Sequence, residues 1–146
     1  MLQIKNPILT SLELMQIRNM KRPGFKVETV SLLYYKNASL KNTVDRLFVE
    51  CDRAYRDGAN VIILSDRGVD EYHMAIPSLL AVSAIEQYLV RTKKRTAVSI
   101  ILESAEPRDV HHFATLLGYG ARAINPYLAQ ECVAELVEKN LSLIHI

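Results

Sequence analysis

From Phe25 onward the chain alternates short β-branched or apolar runs with longer segments of helical period. That alternation predicts consecutive strand–helix units around a parallel sheet, since parallel strands must be joined by a crossover long enough to hold a helix. Phe25-Lys-Val-Glu-Thr-Val-Ser-Leu-Leu-Tyr-Tyr35 reads as a first strand, and its mixed polarity suits a position near a sheet edge. A stripe of Leu40, Val44, Leu47, Cys51, Ala54 and Tyr55 follows, with Asn37–Ser39 before it for capping and Asp57-Gly58 after it as a stop. Asn60-Val-Ile-Ile-Leu-Ser65 is a continuous apolar run, as expected of a parallel strand covered on both faces.

Pro77 is expected to open the next helix, with Leu79, Leu80, Val82, Ala84, Tyr88 and Leu89 in a broadly buried rod. Ala97–Leu102 makes a third strand ending at Glu103, and Pro107 starts a helix whose core stripe is Val110, Phe113, Ala114 and Leu117. Gly118-Tyr-Gly120 ends that helix; Ala121–Ile124 is a fourth strand and Gln130–Lys139 a fourth helix. The fold class is therefore α/β, with parallel βα repeats forming part of a (β/α)8-barrel-like domain. Four units are half of such a barrel, which in full takes roughly 250 residues.

The composition suits one globular domain: 146 residues, 49% hydrophobic and 23% charged. Eighteen basic and sixteen acidic residues leave a formal charge of +2, spread along the chain apart from Arg91-Thr-Lys-Lys-Arg95, so no nucleic-acid partner is implied. That basic cluster falls at a predicted helix end, where cations complement the helix dipole. No apolar run is long enough to cross a bilayer and no signal pattern is present, so no membrane partner and a cytoplasmic location are expected. Cys51 and Cys132 sit among apolar helical positions and read as buried free thiols. Without Cys-x-x-Cys spacing they cannot hold a cysteine-ligated iron–sulfur cluster between them.

Ligands of parallel α/β folds gather at the carboxyl ends of the strands, which selects Ser31 with Tyr34-Tyr-Lys36, Ser65-Asp66-Arg67, Glu103-Ser104 and Asn125 as one rim. Asp66 beside Arg67 could anchor a carboxylate or a flavin phosphate; the favoured reading is that the two charges fasten neighbouring loops. His111 and His112 point about 100° apart on a helix and cannot share a metal, so one is expected against the sheet and the other outward. His73 is read as part of a loop. Gly118-Tyr-Gly120 follows a helix and precedes a strand, the reverse of a phosphate-binding loop, so it is a helix cap pair. No Gly-x-Ser-x-Gly elbow and no Cys–His nucleophile pair is visible. No catalytic, cofactor-binding or metal residue is assigned.

Three stretches occur in a recognisable order: Leu64-Ser-Asp-Arg-Gly68, Ile76-Pro-Ser-Leu-Leu-Ala81, and Glu103-Ser-Ala-Glu-Pro-Arg-Asp-Val-His-His-Phe-Ala-Thr-Leu-Leu-Gly-Tyr-Gly-Ala-Arg-Ala-Ile-Asn-Pro-Tyr-Leu-Ala129. Together they resemble the central domain of the large subunit of glutamate synthase, the iron–sulfur flavoenzyme that makes glutamate from glutamine and 2-oxoglutarate. The resemblance runs from Asn6 to about Leu141. It implies a segment between an amidotransferase domain and an FMN domain of the same parent chain, with FMN and the iron–sulfur cluster held elsewhere. It also implies a non-catalytic role, joining those domains and helping to enclose the ammonia tunnel. By family position Ile8, Leu9 and Ser31 fall nearest the tunnel mouth.

Residues 1–140 are thus expected to be part of that central domain, cut at both ends. Residues 141–146, which one reading frame of a common sequencing adapter also encodes, are expected to be a non-native tail. The alternative is an independent α/β half-barrel that dimerises to close its sheet and binds a small anionic ligand at Asp66, Arg67 and Glu103. Open sheet edges and bare helix faces would in either case favour self-association of the isolated piece.

Overall fold

A computed structural model of the chain describes residues 2–139, so the expected tail at 141–146 lies outside the described residues. In chain order the elements are α1 (Ser11–Arg18), β1 (Val27–Ser31), β2 (Leu33–Tyr35), α2 (Leu40–Arg56), β3 (Val61–Ser65), β4 (His73–Ala75), α3 (Ser78–Arg91), β5 (Ser99–Glu103), α4 (Val110–Gly118), β6 (Ala123–Asn125) and α5 (Tyr127–Glu138). Four strands form a parallel sheet in the order β1-β3-β5-β6, with β1 at one edge as its mixed polarity suggested. Each connection within that sheet carries a helix, so the βα repeat is present. Pro7 to Leu9 runs alongside β6, exchanging Leu9 N–H to Ile124 C=O and Ile124 N–H to Pro7 C=O, both at 2.8 Å.

Side chains alternate across the sheet and divide the core in two. Ile62, Leu64, Ile100, Leu102 and Ile124 point toward α2, α3 and α4, where Leu47, Cys51, Ile85, Leu89 and Leu116 meet them. Val61, Ile63, Ile101 and Ala123 point the other way, onto Leu9 and onto Leu14 and Ile17 of α1. The continuous apolar run of β3 is buried at all five positions because both faces are covered. α1 is held by a capping box: Thr10 Oγ1 accepts from Glu13 N–H and Glu13 Oε1 accepts from Thr10 N–H, each at 3.1 Å.

Several sequence expectations need correction. The run Phe25–Tyr35 is two strands, not one: after Ser31 the chain leaves the parallel sheet, and Leu33–Tyr35 pairs antiparallel with His73–Ala75. Leu32 is the pivot, donating its N–H to Ser65 C=O at 2.8 Å and accepting from Ile76 N–H at 2.9 Å while its side chain is fully buried. His73 is therefore in a strand rather than a loop.

In α3 the buried stripe is Ser78, Ala81, Val82, Ile85 and Leu89, rotated from the expected one, and Leu79 and Leu80 are exposed. Pro107 precedes α4 without starting it, since Asp109 is the cap and accepts from His112 N–H at 3.0 Å. Val110 consequently stands in the first turn at 82% exposure, and Leu116 rather than Val110 or Ala114 is the core residue. The fourth strand is shifted to Ala123–Asn125, and the last helix begins three residues earlier than expected, at Tyr127. Of the basic cluster, Arg91 stands in the last turn of α3 as expected, while Lys94 bonds Asp52 of α2 at 2.6 Å and Arg95 pairs with Glu86.

Candidate functional site: a polar row on the sheet

The strand registers place Ser31, Ser65, Glu103 and Asn125 side by side, one on each strand of the parallel sheet. Their shared parity turns them to the α1 face, at the carboxyl end of the strands. Ser65, Glu103 and Asn125 are buried, whereas Ser31 lies exposed on the edge strand, with its hydroxyl accepting from Leu33 N–H at 3.2 Å. The sequence-selected residues are thus brought to one line, but Ser31 is not joined to the rest.

Glu103 is the centre. Ser65 Oγ donates to its Oε1 at 2.6 Å, Arg18 Nη2 from the last turn of α1 reaches the same oxygen at 3.1 Å, and Arg67 Nε donates to Oε2 at 2.9 Å. Burial alone would push this carboxyl up, but the bonds from Ser65 and Arg67 and the Arg18 charge outweigh it and hold Glu103 below the usual range. A buried carboxylate facing two guanidiniums is a satisfied ion cluster, with the outer parts of both arginines in water.

Asp66 points to the other side of the strand and builds a second cluster. Its Oδ2 accepts from Ser104 Oγ at 2.6 Å, both oxygens accept from Ala105 N–H, and Oδ1 accepts from Tyr127 Oη at 2.6 Å. Tyr127 is raised well above its ordinary pKa by burial, then by the bond to Asp66 and its charge. The Arg67 guanidinium lies 4.0 Å from the Tyr127 ring centroid, linking the two clusters by a cation–π contact.

Asn125 Nδ2 donates to Leu9 C=O at 3.0 Å and to Gln130 Oε1 at 3.2 Å, and Gln130 Nε2 donates to Leu9 C=O at 2.8 Å. Leu9 is fully buried and Ile8 half-buried, so both candidate wall residues are part of the packing that seats the N-terminal segment. Arg18, Tyr127 and Gln130 were missed by sequence reasoning. Arg18 belongs to a helix the strand–helix alternation does not reach. Tyr127, two residues beyond Asn125, could have been found had the last helix been started at the Asn-Pro break.

The rim therefore fastens loops and termini, as the structural reading of Asp66 and Arg67 held. Arg18 and Arg67 each give one N–H to Glu103 and keep the rest of the guanidinium in water. A cleft of ≈ 290 Å³ lies elsewhere, between the N-terminal ends of α3 and α4, lined by Ser78, Glu106, Pro107, His111 and His112 among others. There Glu106 caps α3, accepting from Ser78 N–H and, at 2.8 Å, from Ser78 Oγ. His111 and His112 are both exposed, correcting the expectation that one packs on the sheet. The reason is the start of α4 at Val110, which leaves its first turn outside the core.

Among the described residues no group of three or more His, Cys, Asp or Glu side chains could hold a metal. Cys51 is buried and pushed up to about 12 by burial and then by Glu50 and Asp52, the opposite of what a cluster-ligating thiolate needs. Cys132 is exposed, not buried as its apolar neighbours suggested, because no described residue covers that part of α5. These residues do not fit an iron–sulfur cluster. No described helix is long and apolar enough to cross a membrane.

Sheet and rim define a parallel α/β repeat domain whose strand-end polar groups hold one another. Comparison with known proteins narrows this to one family. The profile of the glutamate synthase central domain matches residues 1–145, and the chain belongs to that family. It is 38% identical over 144 residues to the NADH glutamate synthase of Schizosaccharomyces pombe, covering 95% of this chain and 7% of that protein. It is 41% identical over 128 residues to the large chain of the NADPH glutamate synthase of Bacillus subtilis, covering 88% and 8% respectively. With the ferredoxin-dependent glutamate synthase of Pyropia yezoensis the identity is 35% over 132 residues, covering 89% and 9%. The chain thus spans less than a tenth of the length of these relatives.

Proposed function

We propose that this chain is a non-catalytic central segment of a cytoplasmic glutamate synthase, joining the amidotransferase and FMN domains of one polypeptide and helping to enclose the ammonia tunnel between them. In that enzyme glutamine and 2-oxoglutarate become two glutamates, with FMN and an iron–sulfur cluster held by other domains. The observation that carries the reading is the internally bonded rim: Ser65, Asp66, Arg67 and Glu103 stand where a parallel α/β enzyme keeps its chemistry, and there Ser65 and Arg67 bond Glu103 while Asp66 is held by Ser104 and Tyr127. Such a rim gives a stiff platform without a free acid, base or nucleophile.

The relatives' printed names specify NADH, NADPH and ferredoxin as donors, and all three kinds match this segment, which supports a role apart from electron entry. A tunnel wall must exclude water and offer few groups that protonate ammonia. Half-buried Ile8 suits the surface of such a wall, and Leu9, buried behind it, suits its support. The test is glutamine- and ammonia-dependent glutamate formation by the isolated chain: no turnover above a flavin-only control is expected, and turnover would overturn the reading.

A further inference from the structure

Ile124-Asn-Pro126 breaks a hydrogen-bond ladder and then repairs it. Pro7 to Leu9 lies parallel to β6 through the Ile8–Ile124 bridge, with Ile124 giving its N–H to Pro7 C=O and accepting that of Leu9. In this register the next donor, the one due to Leu9 C=O, belongs to residue 126. That residue is proline and has no N–H. Two side-chain amides take its place: Asn125 Nδ2 at 3.0 Å and Gln130 Nε2 at 2.8 Å both donate to the Leu9 carbonyl. Asn125 Nδ2 also donates to Gln130 Oε1 at 3.2 Å, and Asn125 Oδ1 is buried without a donor among the described residues. The network therefore satisfies Leu9 in preference to Asn125 itself.

A clasp of this kind decides register. Two backbone bonds pair the segment with β6, and so short a pairing specifies its own register weakly. Side chains alternate along it: Leu9 enters the core beside α1, and Ile8 packs on the cluster of the other face. A slip of one residue would exchange those faces, carrying Leu9 out of its core and Ile8 off its own. By holding the Leu9 carbonyl the two amides oppose that slip. The far end of α1 is tied to the same polar row, since Arg18 reaches Glu103 at 3.1 Å, so the stretch from Pro7 to Arg18 is held at both ends.

Resting on the reading of Ile8 and Leu9 as tunnel wall, we infer that Asn125 and Gln130 are positioning residues for ammonia transfer: they clasp Leu9 so that Ile8 keeps its place in the wall. The test is made in the full-length holoenzyme. Two quantities are followed: glutamate formation from 2-oxoglutarate with added ammonia, and ammonia lost to solvent per glutamine hydrolysed. Gln130→Met has no donor, and Gln130→Glu keeps the shape while losing the N–H. Each should raise the loss about five-fold, the shift that one hydrogen bond supports, with the added-ammonia rate unchanged. Lys94→Met, which breaks the bond to Asp52 on the α2–α3 side of the fold, should leave the loss at its wild-type level. A fall of both rates together, or a loss no greater than that of Lys94→Met, would overturn the inference. Ile8→Asp separates it from the reading beneath. Leakage in Ile8→Asp but not in the Gln130 variants removes the positioning role alone; tight transfer in Ile8→Asp removes the wall itself, and the inference with it.

Discussion

α2 and α5 carry the same kind of sequence pattern and meet opposite fates. In α2 the stripe of Thr43, Leu47, Cys51 and Ala54 is buried against the sheet, and Phe48 stacks on Tyr88 of α3 with ring centroids 4.5 Å apart. In α5 no residue is buried. Helical periodicity thus states that a face will be covered and is silent on what covers it, because burial belongs to the neighbours as much as to the helix. The thiols report the same difference: Cys51 is sealed and Cys132 open, although each sits on the apolar stripe of its helix.

The largest test of the comparison is to empty the covered stripe. Leu47 is fully buried between helix and sheet, so Leu47→Ala should cost about 2–5 kcal/mol in chemical denaturation, by lost burial and the cavity left behind. A loss below about 1 kcal/mol would mean that α2 is no better seated than α5. Next comes the root of α5. Asp66→Asn removes the charge that Ser104, Ala105 and Tyr127 converge on and should cost about 1–3 kcal/mol. Hydrogen exchange across α5 should quicken more than across α2, and uniform change would show that Asp66 does not tether that helix in particular.

The sequence made the βα order, the burial of β3 and the edge position of β1 legible, since a run such as Asn60–Ser65 has few other ways to be satisfied. It failed where the chain changes partner without changing composition. Nothing in Leu32-Leu33-Tyr34 marks the departure from the parallel sheet to the β2–β4 ribbon, because the event depends on Ser65 and Ile76 receiving the two sides of Leu32. The site was half legible. Strand ends located Ser65, Asp66, Glu103 and Asn125, but their bonding needs the register that aligns them and the arrival of Arg18 from 85 residues away.

The ion cluster under α1 offers a smaller test, in pH. Glu103 is held below its ordinary value of 4.5, so its contribution is present above the unfolded value and is lost as pH falls through the lower folded one. Stability should therefore decline from about pH 5 downward. The neutral variant Glu103→Gln should decline less steeply over that range, at a cost near neutral pH of about 1–2 kcal/mol, because Arg18 and Arg67 can turn to water. Identical pH slopes for the two proteins would remove Glu103 as the acid-sensitive group.

The smallest expected effect is also the sharpest probe of the two helices. Val133 is 59% exposed, so Val133→Ala in this chain should change stability by no more than about 0.5 kcal/mol. Were the stripe covered in a longer polypeptide, the same substitution would delete two buried carbons, worth about 1.5 kcal/mol at about 0.8 kcal/mol each. The difference between the two contexts measures the cover and not the helix, since the deleted atoms are the same. Equal small losses in the 146-residue chain and in the full-length enzyme would leave α5 a solvent helix, and its likeness to α2 would end at the sequence.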